Sequence, residues 1–161
     1  AGMTYIVYGG ASAYRSSVFQ ASNGDMIGTS GNDTLTDAID NNDLVADTLD
    51  GGEGNDYIDQ VVGENGVDRL FGGNGNDIVN AEGNNDYTYG GDGNDAGSAG
   101  NGQDSVYGGN GDDQLLGDED ADNVMGDAGN DWLEGNDGHD SLHGGIGDDT
   151  LFFAAISLKL A

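Results

Sequence analysis

From Leu70 to Leu151 every ninth position is apolar: Leu70, Val79, Val106, Leu115, Val124, Leu133, Leu142 and Leu151, with Thr88 and Gly97 as the two exceptions. Two places before each stands an aspartate, unbroken from Asp68 to Asp149. The repeated phrase reads glycine-glycine-any-glycine-any-aspartate-any-apolar-any. Clear copies are Gly51-Gly52-Glu53-Gly54-Asn55-Asp56-Tyr57-Ile58-Asp59 and Gly108-Gly109-Asn110-Gly111-Asp112-Asp113-Gln114-Leu115-Leu116. One apolar residue between two outward neighbours predicts a three-residue strand, and the turn-forming residues before it predict a six-residue loop. Strict repetition at a short fixed period is the signature of a solenoid.

A three-residue strand is too short for an ordinary sheet. If each nonapeptide turns the chain through half a circle, two of them make one coil, and coils stack at the inter-strand spacing of about 4.8 Å. The predicted fold is therefore all-β, a parallel β-roll of two nonapeptides per coil with the apolar row inside. Stacking sorts the loops into two columns. One edge carries Asp68, Asp86, Asp104, Asp122 and Asp140; the other carries Asp77, Asp95, Asp113, Asp131 and Asp149. Upstream, Gln60-Val61-Val62 inserts three residues, since Asp56 to Asp68 is twelve. A bulge that keeps phase would place Asp56 under Asp77 and Asp47 under Asp68. Lost glycines at Ala81, Glu82, Asn84 and Ala99, with Thr88 and Gly97 inside, predict the loosest packing between about 81 and 100.

Four regions follow. Residues 1–27 form a distinct cap region, with strand-like Thr4-Tyr5-Ile6-Val7-Tyr8 and Val18-Phe19. Residues 28–62 are irregular repeats, including the full copy Gly28–Thr36 with Asp33. Residues 63–152 are regular repeats, and residues 153–161 are an apolar tail.

Charge changes the picture most. Three Lys+Arg against 31 Asp+Glu give a formal net charge of -28. Such a chain lacks the basic surface that nucleic acid or an anionic membrane requires. Disordered acidic tracts do not hold phase, and this one does. Without cysteine there is no disulfide framework or thiol nucleophile, and no apolar run is long enough to insert in a membrane. Carboxylates stacked about 5 Å apart repel by roughly 3–4 kcal/mol per pair at an effective dielectric near 20. A cation between the loops is required. Carboxylate and carbonyl oxygens suit calcium, which takes about six or more oxygen ligands, better than the stiffer magnesium. Folding is then expected to depend on metal.

These repeats resemble the RTX (repeats-in-toxin) calcium-binding β-roll. The resemblance implies a right-handed roll with ions between same-side loops of adjacent coils, held by aspartate carboxylates and loop carbonyls. Carried over by position, the carboxylates are Asp33, Asp47, Asp56, Asp68, Asp77, Asp86, Asp95, Asp104, Asp113, Asp122, Asp131, Asp140 and Asp149. The loop positions implied are Gly51, Gly72, Gly90, Gly108, Gly126 and Gly144, with Asn74, Asn76, Asn110 and Asp112 beside them. Roughly eight to ten Ca2+ ions are expected. Asn84 and Asp120 replace the third loop glycine; Glu64, Glu82, Asp118, Asp127 and Asn136 replace the second. Members are mostly bacterial proteins exported by type I secretion, which implies a secreted, extracellular or cell-surface location. Thr4–Ser12 is similar to the strand-turn phrase of FG-GAP (integrin-type) blades, which implies a piece of something larger. The tail reads as a cap or contact surface in preference to an export signal.

No catalytic constellation stands out. His139 and His143 do not form a zinc helix, and no Gly-x-Ser-x-Gly elbow occurs. Trp132, Tyr57, Tyr87, Tyr89 and Tyr107 fit the outer face, and the third loop position lacks the threonine row of an ice-binding roll. The expected function is a non-enzymatic, calcium-binding structural module of a surface layer, adhesin or fibre. Its partners would be calcium, parent-protein domains or further copies joined end to end as a filament. The competing class is a non-catalytic C-terminal domain of a type I-secreted hydrolase or toxin.

Overall fold

A computed structural model describes residues 19–20, 25–37, 48–60 and 66–153. The expected strand Thr4–Tyr8, Asp47, Val61 and Val62, Glu64 and the tail beyond Phe153 lie outside them. Among the described residues there are fifteen strands and no helix. In chain order they are β1 (Phe19–Gln20), β2 (Met26–Ile27), β3 (Thr34–Asp37), β4 (Thr48–Glu53), β5 (Tyr57–Gln60), β6 (Arg69–Asn74), β7 (Ile78–Asn80) and β8 (Tyr87–Asp92). They continue as β9 (Ala96–Ser98), β10 (Ser105–Asn110), β11 (Gln114–Glu119), β12 (Asn123–Ala128), β13 (Trp132–Asp137), β14 (Ser141–Ile146) and β15 (Thr150–Phe152).

Successive strands alternate between two sheets, β1-β2-β4-β6-β8-β10-β12-β14 and β3-β5-β7-β9-β11-β13-β15. All pairs are parallel except β1 with β2. This is a β-solenoid in which each coil contributes one strand to each sheet. From Asp68 onward the coils repeat every 18 residues. Below that, Leu49 pairs with Leu70 and Ile58 with Val79, an offset of 21, so the three-residue insertion keeps phase.

The inward position closes the roll. Leu35, Leu49, Ile58, Leu70, Val79, Val106, Leu115, Val124 and Leu133 are all fully buried. Removing these aliphatic faces from water contributes about 1.5–3 kcal/mol each. Leu142 and Leu151, in the last described coil, are only half-buried, with no further coil over them among the described residues.

Two features differ from the sequence reading. Most strands run six residues, because the ladder continues past the glycine that stands two places after the apolar residue. With no side chain there, adjacent coils come close enough to go on hydrogen bonding, and the loop shrinks to three residues. β7 and β9 stay at three residues, and each stops one residue before an alanine, Ala81 or Ala99. The second feature is a break in the core. Thr88 and Gly97 face inward together, and the apolar residues divide into one cluster from Met26 to Ala81 and another from Ala99 to Leu133. At the junction lies a void of about 10 Å³, lined by Val79, Thr88, Gly97, Val106 and Leu115 among others. The buried Thr88 hydroxyl beside it has no hydrogen-bond partner. The stack itself runs through this region without interruption, since β7 pairs with β9 and β9 with β11.

Candidate metal centre

Each aspartate of the repeat sits where a loop re-enters the roll, with its side chain turned back between coils. Asp33, Asp56, Asp68, Asp77, Asp86, Asp95, Asp104, Asp113, Asp122 and Asp131 are all buried, 4% exposed or less. Asp140 and Asp149, in the last coil, are half-buried. The two expected columns are present. Along one edge the backbone N–H of Asp68 donates to Asp86 Oδ1 at 2.8 Å, Asp86 to Asp104 at 2.6 Å, Asp104 to Asp122 at 2.9 Å and Asp122 to Asp140 at 3.1 Å. Along the other, Asp33, Asp56, Asp77, Asp95, Asp113 and Asp131 each donate to the Oδ1 one coil on, at 2.7–3.1 Å, ending on Asp149.

One oxygen of each carboxylate is thus used to join coils. The other is not: Oδ2 of Asp56, Asp77, Asp86, Asp95, Asp104, Asp113, Asp122 and Asp131 is buried without a hydrogen-bond partner. A buried anionic oxygen left unpaired costs more than a neutral polar atom. Burial, the largest cause, raises Asp86 and Asp113 to about 7, and Asp56, Asp95, Asp104 and Asp122 to about 6; Asp77 and Asp131 move the same way. Neighbouring carboxylates of the column add to several of these shifts, and the backbone N–H bond opposes them.

Six of the eight orphaned oxygens open onto cradles formed by the first glycine of their loop; for Asp86 and Asp104 that place is held by Ala81 and Ala99. A Cβ on Gly90 would lie 2.5 Å from Asp95 Oδ2 and 2.7 Å from the Gly108 carbonyl oxygen of the next coil. On Gly117 it would lie 2.7 Å from Asp122 Oδ2 and 2.9 Å from the Gly135 carbonyl. Gly51, Gly72, Gly108 and Gly126 repeat this arrangement, and Gly144 faces Asp149 with no further coil among the described residues. Asp33 is an exception, because Oδ2 accepts the Thr29 N–H at 2.6 Å and hydroxyl at 2.9 Å.

In most loops around the cradles the second and fourth positions hold positive φ, as at Gly91 (122°) and Gly93 (140°); Gly138 does not. Where glycine is replaced the same turn persists, with Glu82 at 68°, Asn84 at 83°, Asp118 at 75° and Asp120 at 77°. The four flanking polar residues also join one coil to the next. The carbonyls of Asn74 and Asn110 accept the N–H of Gly54 and Gly93, each at 2.7 Å. Asn76 and Asp112 are exposed members of a ladder that the sequence reading missed. The residue before each aspartate accepts, through its side chain, the N–H of its counterpart one coil on: Asn32 from Asn55, Asn55 from Asn76, Asn76 from Asn94, Asn94 from Asp112, Asp112 from Asn130 and Asn130 from Asp148. An 18-residue period in Asn/Asp at that position was the available signal. On the opposite edge the series Asn85, Gln103, Ala121, His139 supports a single rung, from Gln103 N–H to Asn85.

No group of three or more acidic or histidine side chains comes together among the described residues. The cradles are of another kind, one carboxylate per repeat combined with main-chain carbonyls. Four copies of the RTX calcium-binding nonapeptide repeat match residues 46–59, 62–97, 89–124 and 116–151, well over half of the chain. The chain belongs to the RTX calcium-binding repeat family. No curated protein matches it. The residues of this RTX roll fit the ion: hard oxygens, an orphaned carboxylate atom and a gap that only glycine leaves open are what calcium coordination needs.

Proposed function

We propose that this RTX roll is a calcium-folded structural module of an exported bacterial protein, part of a surface layer, adhesin or fibre. The observation that carries the reading is the row of buried, unpartnered Oδ2 atoms repeated at coil spacing. Bound calcium would supply the positive charge that neutralises these oxygens. Asp56, Asp77, Asp95, Asp113, Asp122 and Asp131, with the carbonyls of the first loop glycines, are the residues proposed to hold it. The chain's own part is to orient: the N–H of the coil below fixes Oδ1 and so aims Oδ2 into the cradle. Aspartates that repel and cannot hydrate hold the metal-free chain open; the loaded chain closes.

Such coupling suits export, since a chain kept open at low calcium would fold on reaching calcium outside the cell. A net charge of -28 strengthens the repulsion that must be overcome. Far-ultraviolet circular dichroism in chelator and in millimolar calcium tests the reading. A coil spectrum converting to a β spectrum is expected; the same β spectrum in both overturns it. Electron microscopy in calcium then separates an end-to-end filament from single particles.

A further inference from the structure

Ala81 and Ala99 stand at the first loop position, where Gly72, Gly90, Gly108, Gly117 and Gly126 open their cradles. The loops they begin keep the family turn: Glu82 and Asn84 hold φ of 68° and 83°, and Gly100 and Gly102 hold 94° and 138°. Coil-to-coil pairing is kept as well, with Ala81 N–H on the Ser98 carbonyl and Ala99 N–H on the Leu116 carbonyl, both at 3.0 Å. The backbone is therefore in place and only the methyl group is new. Both alanines are fully buried. At the glycine positions, the point a Cβ would occupy is 2.5–2.9 Å from a carboxylate oxygen and the next coil's carbonyl at Gly90 and Gly117. That is close to the distance at which calcium takes oxygen, about 2.3–2.6 Å, and too short for carbon. A methyl and an ion cannot share it. β7 and β9 break off at Asn80 and Ser98, just before the two alanines, whereas strands with glycine at that position run on to six residues.

We propose that the Ala81 and Ala99 methyl groups close two calcium cradles, leaving an unbroken row of sites along the Asp77 edge and a gap along the Asp68 edge. This rests on the calcium reading above and deepens it. The open cradles are those at Gly51, Gly72, Gly90, Gly108, Gly126 and Gly117, fewer than the roughly eight to ten ions that one per loop pair would give. Edge asymmetry recurs in the ladder beside the aspartates, continuous on the Asp77 edge and reduced to one rung on the other.

The experiment counts calcium ions per chain by native mass spectrometry, and by elemental analysis after gel filtration. Three chains are compared: the unsubstituted protein, A81G/A99G, and G108A, which places a methyl in an open cradle on the opposite edge. The double variant is expected to gain up to two ions and G108A to lose one. An unchanged count in A81G/A99G, or in G108A, overturns the proposal while leaving calcium-dependent folding intact. A protein that takes up no calcium overturns both. Should the double variant not fold, the count for G108A still decides.

Discussion

At the scale of the residue, each repeat aspartate does two things with two oxygens, and substitution can separate them. Asp113→Asn keeps an acceptor for the Asp95 N–H but removes the charge that burial disfavours. It should stabilise the metal-free chain and raise the calcium concentration at the folding midpoint several-fold. Asp113→Ala loses both oxygens, so it should shift the midpoint further with no gain in chelator. Circular-dichroism titrations of the two variants check this. The same carboxylates set a pH dependence. Burial holds Asp86 and Asp113 at about 7 and others at about 6, above the ordinary value of 3.8. The metal-free folded chain thus binds protons more tightly than the unfolded one, and its stability rises as pH falls from about 7 toward 4. In chelator, β structure should increase between pH 8 and pH 5. With calcium the direction reverses, because protons compete for Oδ2, and the folding midpoint should move to higher calcium at pH 5.5. An aspartate column and its period were legible in the sequence; which oxygen joins coils and which faces the cradle was not, since both belong to one side chain.

At the scale of the element, strand length is set by what stands after the inward residue. A glycine two places after the inward residue lets β6, β8 and β10 to β14 run on to six residues, while β7 and β9, with an alanine there, stop at three. Sequence periodicity located every strand of the regular repeats because the inward position alternates with outward neighbours. It underestimated their length because glycine carries no hydropathy signal for a ladder it merely permits. The seam at Thr88 and Gly97 was legible as a broken pattern, and its consequence is local. Thr88→Val exchanges an unpartnered hydroxyl for a methyl of similar shape and should stabilise the calcium-loaded roll by about 1 kcal/mol. Gly97→Ala adds a Cβ 3.2 Å from Leu115 Cδ2 and 3.6 Å from Val106 Cγ1, a tight fit beside the void. By restricting the unfolded chain it should add about 0.4–1 kcal/mol. Thermal melts in calcium measure both; a fall in melting temperature for Thr88→Val would contradict the account of the seam.

At the scale of the whole molecule, each coil touches only its neighbours, so stability is a sum of coils and the contacts between them. Two apolar clusters meeting at a polar seam should then unfold as two blocks. Hydrogen exchange in limiting calcium should show β4 to β7 and β10 to β13 losing protection at different calcium concentrations, with Thr88→Val drawing the two together. Two nonapeptides per coil also means that consecutive repeats lie on opposite sides of the roll. Parity therefore matters more than motif. Duplicating a single nonapeptide would leave the consensus intact yet exchange left for right in everything downstream. Trp132 would cross to the face now occupied by Tyr87 and Tyr107, and the asparagine ladder would end against Ala121 and His139. Lengthening this molecule without scrambling its surfaces takes insertions of even numbers of repeats.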